Sequence, residues 1–454
     1  MKSHSPTIER RFSRKALNIM TISVAIAIFL LSRTYTDSVS TTTSSTDKSP
    51  QENTSANLRP HLLDIKTQAL NTAQPPITLP IQTWRHDTGA QLLFVESSEI
   101  PMLNIELIFD AGSARDTDLP GLARMTNNLI GEGSTQHSVE EIAQTFESLG
   151  SEFNTASERD MGVLSLKTLA SDANLQASLN LFIEVLSQPS FPEAALTRVK
   201  SSAVGYWQQR LAQFHRTHYT AANATIAIVG AINWNRAKEI AEKIIAALPA
   251  GSPLPPLPSI TEPASTEHIH IEFPSQQTHI RIATLSTNRH DKRLIPLIVA
   301  NEVLGGGGFT SQLNKVIRQD KGLAYSVYSY AGAMQSEGVF VIDLQTQNDS
   351  AAQALKLAEK TLATFIEKGP SAQDLEKATK HLVASFPLGL STNNGILRQL
   401  ANMGFYHLPK NYLELYTKQI LDTTPQTAQR VFSDIIHPGK HLIITLGPTP
   451  PEST

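Results

Sequence analysis

This chain runs through one structural plan twice, and that duplication limits what it can fold into. In the first pass "AQLLFVESS" and "MLNIELIFDAG" read as strands, rich in branched and aromatic residues and joined through "EIP". "SVEEIAQTFESLG" follows as an amphipathic helix with Ser138 as N-cap, Glu141 three residues later and Gly150 at its stop. "EFNTASERDMGVLSLKTLA" reads as a hairpin and "ANLQASLNLFIEVLSQPSF" as a helix ended by Pro189. The pass closes with the strand "ATIAIVGAI" and the helix "NRAKEIAEKIIAALP". Prolines in "AGSPLPPLPSITEPAS" then break all periodicity. The second pass holds the strands "HIHIEF" and "THIRIATLS", a helix running into four glycines, and the hairpin "GLAYSVYSYAG"/"GVFVIDLQTQN". A long helix and the strand "HLIITLG" complete it. Hairpin-joined strands with helices segregated between them predict an α+β fold of two related domains, residues 77–250 and 265–454, with a Pro-rich linker at 251–264.

The N-terminus follows a different logic. Arg10, Arg11, Arg14 and Lys15 precede the uncharged run Ala16 to Ser32. The run is near the lower length for crossing a bilayer, and cations before it favour a cytoplasmic N-terminus. The expectation is a basic tail at 1–15, a transmembrane signal anchor at 16–32 and a disordered, Ser/Thr-rich linker at 33–76. A bacterial inner-membrane protein with its body in the periplasm follows from this. A cleaved signal peptide releasing a periplasmic body is the alternative, although no small-x-small cleavage site is visible. A net charge of -3 gives no basic field for nucleic acid, and the absence of cysteine removes thiolate sites and disulfides.

"DTGAQLLFVE", "LIFDAGSARD", "GLARMTNNLIGEGS" and "TIAIVGAI" in the first half, with "ANEVLGGGGFTSQLNKVIRQDKGLAYSVYSY" in the second, resemble the M16 (pitrilysin, or insulinase-like) peptidases. The likeness is to short two-domain bacterial members and spans about Trp84 to Gly447. It implies two LuxS/metallohydrolase-like domains, each an antiparallel-rich sheet packed with helices. Active members bind zinc through H-x-x-E-H on a helix, with a third glutamate ligand some seventy residues on. Two imidazoles hold the ion and the carboxylate takes a proton from the bound water. Here the three motif positions hold Arg124, Asn127 and Asn128, and the third ligand falls near Gly205 or Tyr206. No Asp or Glu occurs from Ala194 to Lys238. Arginine has no lone pair to give a metal, and asparagine is no general base. The expectation is that this chain binds no metal and takes no cofactor, zinc belonging to a partner. The segment before "ATIAIVG" is also shorter than in active relatives.

Other histidines offer little. His215 and His218 share a helix face without a carboxylate nearby, and His268, His270 and His279 read as ordinary strand positions. Asp110 and Glu132 flank the lost motif in surface or hairpin roles.

The second half keeps a different pair. Family members use an Arg and a Tyr seven residues apart to bind substrate carbonyls and steady the tetrahedral intermediate, and Arg318 and Tyr325 have that spacing. A helix-end cation and a strand aromatic are the ordinary readings of the two, and Tyr328 and Tyr330 are competing tyrosines. Gly305, Gly306, Gly307 and Gly308 allow a sharp bend and close approach to a facing domain, and the resemblance implies substrate contact there. No phosphate-loop Lys-Ser/Thr follows them. In some bacterial relatives one chain carries the zinc motif and another only the Arg/Tyr pair. The resemblance therefore implies the non-catalytic subunit of a heterodimeric zinc metalloendopeptidase, inactive alone, acting on small or unfolded peptides with a zinc-motif homologue as partner. A purely structural or peptide-binding scaffold and a zinc peptidase with a displaced site remain alternatives.

Overall fold

The structure, a computed structural model, describes residues 78–199 and 204–451. The expected basic tail, membrane anchor and linker lie outside the described residues. Among the described residues no helix is long and apolar enough to cross a membrane.

The first half runs β1 (Gln82–Arg85), β2 (Gln91–Glu96), β3 (Met102–Phe109), α1 (Leu122–Leu129), α2 (Val139–Ser148), β4 (Glu152–Ser157) and β5 (Gly162–Leu169). It continues through α3 (Asp172–Ser187), α4 (Glu193–Val199), α5 (Val204–His218), β6 (Ala224–Gly230) and α6 (Trp234–Ala247). The second half holds β7 (Glu267–Glu272), β8 (Gln277–Leu285), α7 (Leu294–Asn301), β9 (Ala324–Ala331), β10 (Val339–Gln347) and α8 (Ala351–Lys368). It ends with α9 (Ala372–Ser385), α10 (Asn393–Phe405), α11 (Tyr412–Leu421), α12 (Pro425–Ile435) and β11 (Leu442–Gly447). The capping box read for α2 is present: Ser138 Oγ accepts from Glu141 N, and the Glu141 carboxylate accepts from Ser138 N.

The duplication is visible in the sheets. The first has the order β1-β2-β6-β3-β5-β4 and the second β7-β11-β8-β10-β9. In each, the last strand enters between the first two of the repeated set, parallel to one and antiparallel to the other. The strands joined through "EIP" are therefore not hydrogen-bonded neighbours, because β6 separates them. β6 is buried along its whole length, which fits its apolar sequence.

Each half has its own apolar core, but the two are not separate modules. Residues 78–451 belong to one compact unit. A further core joins the halves: Leu93, Val95 and Val229 on the reverse face of the first sheet meet Leu397, Leu400 and Met403 of α10. Gly404 permits this contact, since a Cβ there would lie 2.5 Å from Thr225 Cγ2 and 2.6 Å from Leu93 Cδ1. Gln91 reinforces it by donating to Gly404 O and to Thr225 Oγ1. The Pro-rich linker is strapped to both halves. Arg115 Nη1 donates to Pro255 O (2.8 Å) and Ile260 N to the Glu337 carboxylate (3.0 Å). The two halves differ ahead of their closing strands. The second inserts α10 and α11 ahead of its closing helix and strand, whereas α5 runs directly into β6.

Candidate functional site

α1 carries the three motif positions and packs against α5, whose first turn carries Gly205 and Tyr206. Asp116 anchors the start of α1 by accepting from Gly121 N (2.7 Å) and Ala123 N (2.8 Å). Arg124 and Asn128 face outward and Tyr206 is largely exposed, whereas Asn127 is fully buried. Asn127 Nδ2 donates to Tyr219 Oη (3.1 Å) and Val163 O (3.3 Å). Gly162 makes room for that hydroxyl, since a Cβ there would sit 2.6 Å from it. Asn127, expected at the general-base position, thus serves the core. Burial raises the Tyr219 phenol far above its usual range.

His215 belongs to the same buried cluster. Its ring stacks on Tyr219 at 4.9 Å, its Nε2 lies 2.8 Å from Leu186 O, and burial pushes its pKa down to about 4. His218 stacks on Phe214 at 3.9 Å and pairs with Phe214 O. His270 contacts Thr445, and His279 contacts Gln345. Asp110 is paired with Arg115 and Glu132 with Arg198. Among the described residues no group of three or more His, Cys, Asp or Glu is placed to hold a metal ion. The motif residues do not fit zinc either: Arg124 points outward with no lone pair to give, Asn128 offers only a neutral amide oxygen, and Asn127 is buried with its Nδ2 donating to Tyr219 Oη and Val163 O.

The Arg/Tyr pair is assembled by local backbone irregularity. The glycine stretch begins inside one π-helical segment, Glu302–Gly306, and a second, Asn314–Gln319, follows it and carries Arg318. Such π turns are rare and often mark functional sites. Gly322, at φ +62, reverses the chain, with its N–H donating to Arg318 O (3.0 Å). β9 then begins at Ala324. Opposite β10 its register slips: Thr346 pairs with Ala324 but Gln345 pairs with Ser326, so Tyr325 is the extra residue of a β-bulge. A bulge re-aims a side chain out of the strand's alternation. Tyr325 is accordingly 82% exposed, and its ring lies 4.9 Å from Arg318 Cζ. Tyr328 and Tyr330 lie farther along β9; the tyrosine against Arg318 is Tyr325. The seven-residue spacing is the length of a helix end, a glycine reversal and one bulged residue.

The glycines play a more local part than the sequence suggests. A Cβ on Gly305 would lie 2.6 Å from Ser329 N, so this residue brings the turn against β9 of its own half rather than a facing domain. Gly306 packs on the Glu302 carboxylate, which pairs with His381 Nδ1 at 2.7 Å, and a Cβ on Gly307 would meet Glu302 O. Gly308 adopts φ +58 in open space.

Sequence reasoning passed over Phe309. It is 66% exposed, and its ring lies 4.6 Å from Arg318 Cζ. The available signal was a bulky aromatic directly after four glycines, outside any helical or strand alternation.

Two family models match the chain: Insulinase (Peptidase family M16) over residues 93–229, and Peptidase M16 inactive domain over residues 208–382. The first spans α1 and the second spans Arg318 and Tyr325. A solved peptidase M16 inactive domain from Pseudomonas fluorescens is 34% identical, with a TM-score of 0.77 over 82% of this chain and 99% of that one. An uncharacterized zinc protease YmxG of Bacillus subtilis is 23% identical over 356 residues, 69% of this chain and 85% of the relative. A non-peptidase homolog YmxG of Helicobacter pylori is 36% identical over 115 residues, 25% of this chain and 27% of the relative.

Proposed function

Since this chain belongs to peptidase family M16, we propose that it is the non-catalytic subunit of a heterodimeric zinc metallopeptidase. In this reading a zinc-motif M16 homologue supplies the metal and the general base. This chain supplies Arg318 and Tyr325, which donate to carbonyl oxygens of a small or unfolded peptide and stabilise charge developing there. The observation that carries the reading is the contrast between two places. At α1 the base position is folded into the core. At β9 a bulge holds Tyr325 out of its strand and over Arg318.

Position supports the role too. β9 is an edge strand, so Tyr325 stands where an extended peptide can add to a sheet. The Arg318 guanidinium makes no hydrogen bond or ion pair among the described residues, which leaves its N–H donors for a ligand. The likeness to M16 inactive domains and to a non-peptidase homolog agrees with a chain that does not cleave by itself. We place the complex at the inner membrane, facing the periplasm, on the strength of the cationic and apolar stretch at residues 10–32.

The test is co-expression with an H-x-x-E-H homologue, followed by peptide-cleavage assays of Arg318→Ala and Tyr325→Phe. Loss of activity in intact complexes supports the proposal. Full activity in both variants points instead to a scaffold without catalytic contribution.

A further inference from the structure

We infer that Phe309 is a positioning residue of this site, holding the Arg318 guanidinium between its own ring and that of Tyr325. This rests on the function proposed above and adds a third residue to the pair. Arg318 Cζ lies 4.6 Å from the Phe309 ring centre and 4.9 Å from the Tyr325 ring centre. Both are within the range in which a cation is attracted to an aromatic face. Among the described residues the Arg318 guanidinium has no hydrogen bond or ion pair, so these two rings are what restrain the charged end of a long, flexible side chain.

The backbone is built to put Phe309 there. Gly308 at φ +58 turns the chain into a short 3-10 turn, Gly308–Thr310. Thr310 Oγ1 donates to Gly307 O (3.0 Å) and Ser311 Oγ to Gly308 O (2.7 Å). Gln319, next to Arg318, donates from Nε2 to Phe309 O at 2.7 Å. The element that carries the guanidinium therefore also pins the aromatic residue. Phe309 adds little to the core, since two thirds of it is exposed.

The chemistry follows from the shape of the group. A guanidinium is planar, with its donors around the rim. Two ring faces beside the guanidinium carbon take up no hydrogen-bond donor, so the N–H groups stay available to an acceptor. A carbonyl or carboxylate oxygen is then met in the plane by a fork already oriented, which lowers the ordering cost of binding.

The experiment uses the full chain co-expressed with a zinc-motif M16 homologue, with kcat and KM measured on an unstructured peptide. Phe309→Leu is expected to lower kcat about 5-fold, the size of one exposed cation–π contact, and Phe309→Trp to restore it. In an Arg318→Ala background, Phe309→Leu is expected to change nothing further. If Arg318→Ala impairs cleavage while Phe309→Leu matches wild type, the Phe309 inference is overturned and the proposed function stands. A further loss from Phe309→Leu in the Arg318→Ala background also overturns it, because Phe309 then acts other than through Arg318. If Arg318→Ala leaves cleavage unchanged, the proposed function falls. The Arg318 Nε–H proton resonance of the isolated chain then decides the positioning itself. Loss of an upfield ring shift in Phe309→Leu supports it, and an unmoved resonance overturns it.

Discussion

His215 carries a quantitative consequence for acid stability. Its imidazole is buried beside Tyr219 and held by Leu186 O, and burial lowers its pKa from 6.5 to about 4. A histidine with a depressed native pKa binds fewer protons folded than unfolded between those two values. Its contribution is therefore complete above the unfolded pKa and is lost as pH falls toward the folded one. Between pH 7 and pH 5 the linkage relation gives a loss of about 2 kcal/mol from this residue alone. His215→Gln preserves a donor toward Leu186 O while removing the titration. Chemical denaturation of both proteins at pH 7 and pH 5 isolates the term, because the other titrating groups cancel in the comparison. Wild type is expected to lose about 2 kcal/mol more than the variant. Equal losses in the two proteins, or an NMR titration of His215 near 6.5, would refute the reasoning.

Other consequences follow from particular contacts. Gly404→Ala is expected to cost about 1–3 kcal/mol, because its Cβ forces α10 off the first sheet; thermal unfolding measures this. Asp160 is buried, accepts from Gln335 N (2.7 Å) and Tyr406 Oη (3.0 Å), and desolvation raises its pKa, so its ionised form burdens the folded state above that pKa. Asp160→Asn keeps an acceptor for both donors and is expected to gain stability relative to wild type at pH 7, with the gain shrinking as pH falls toward 4; denaturation at both pH values checks the sign. Restoring the motif with Arg124→His, Asn127→Glu and Asn128→His is expected to give neither tight zinc binding by calorimetry nor peptidase activity. Asn127 points at Tyr219, and the sequence holds no Asp or Glu from Ala194 to Lys238.

Much of this was legible from sequence where the signal is local. The capping box of α2, the hairpins and the repeated order of elements depend on neighbouring residues and emerge as expected. The insertion of β6 between β2 and β3 was not legible, because their partner comes from far along the chain. The seating of α10 on the first sheet was equally hidden: Gly404 looks like any helical glycine until Thr225 and Leu93 are placed beneath it. At the site, the sequence shows that Arg124, Asn127 and Asn128 are not zinc-binding residue types, but not that Asn127 is a core residue. The Arg318/Tyr325 spacing was visible, and its cause was not. A bulge arises from the pairing of β9 with β10, and the place of Phe309 depends on a glycine turn and on Gln319.

Cleavage of an unstructured peptide by the complex of this chain with a zinc-motif M16 homologue tests the central claim most directly, comparing wild type with Tyr325→Phe. Removing one preorganised donor to a developing oxyanion is expected to lower kcat about 100-fold, with the complex and its zinc content intact. An unchanged kcat in that intact complex contradicts the account and leaves this chain a scaffold.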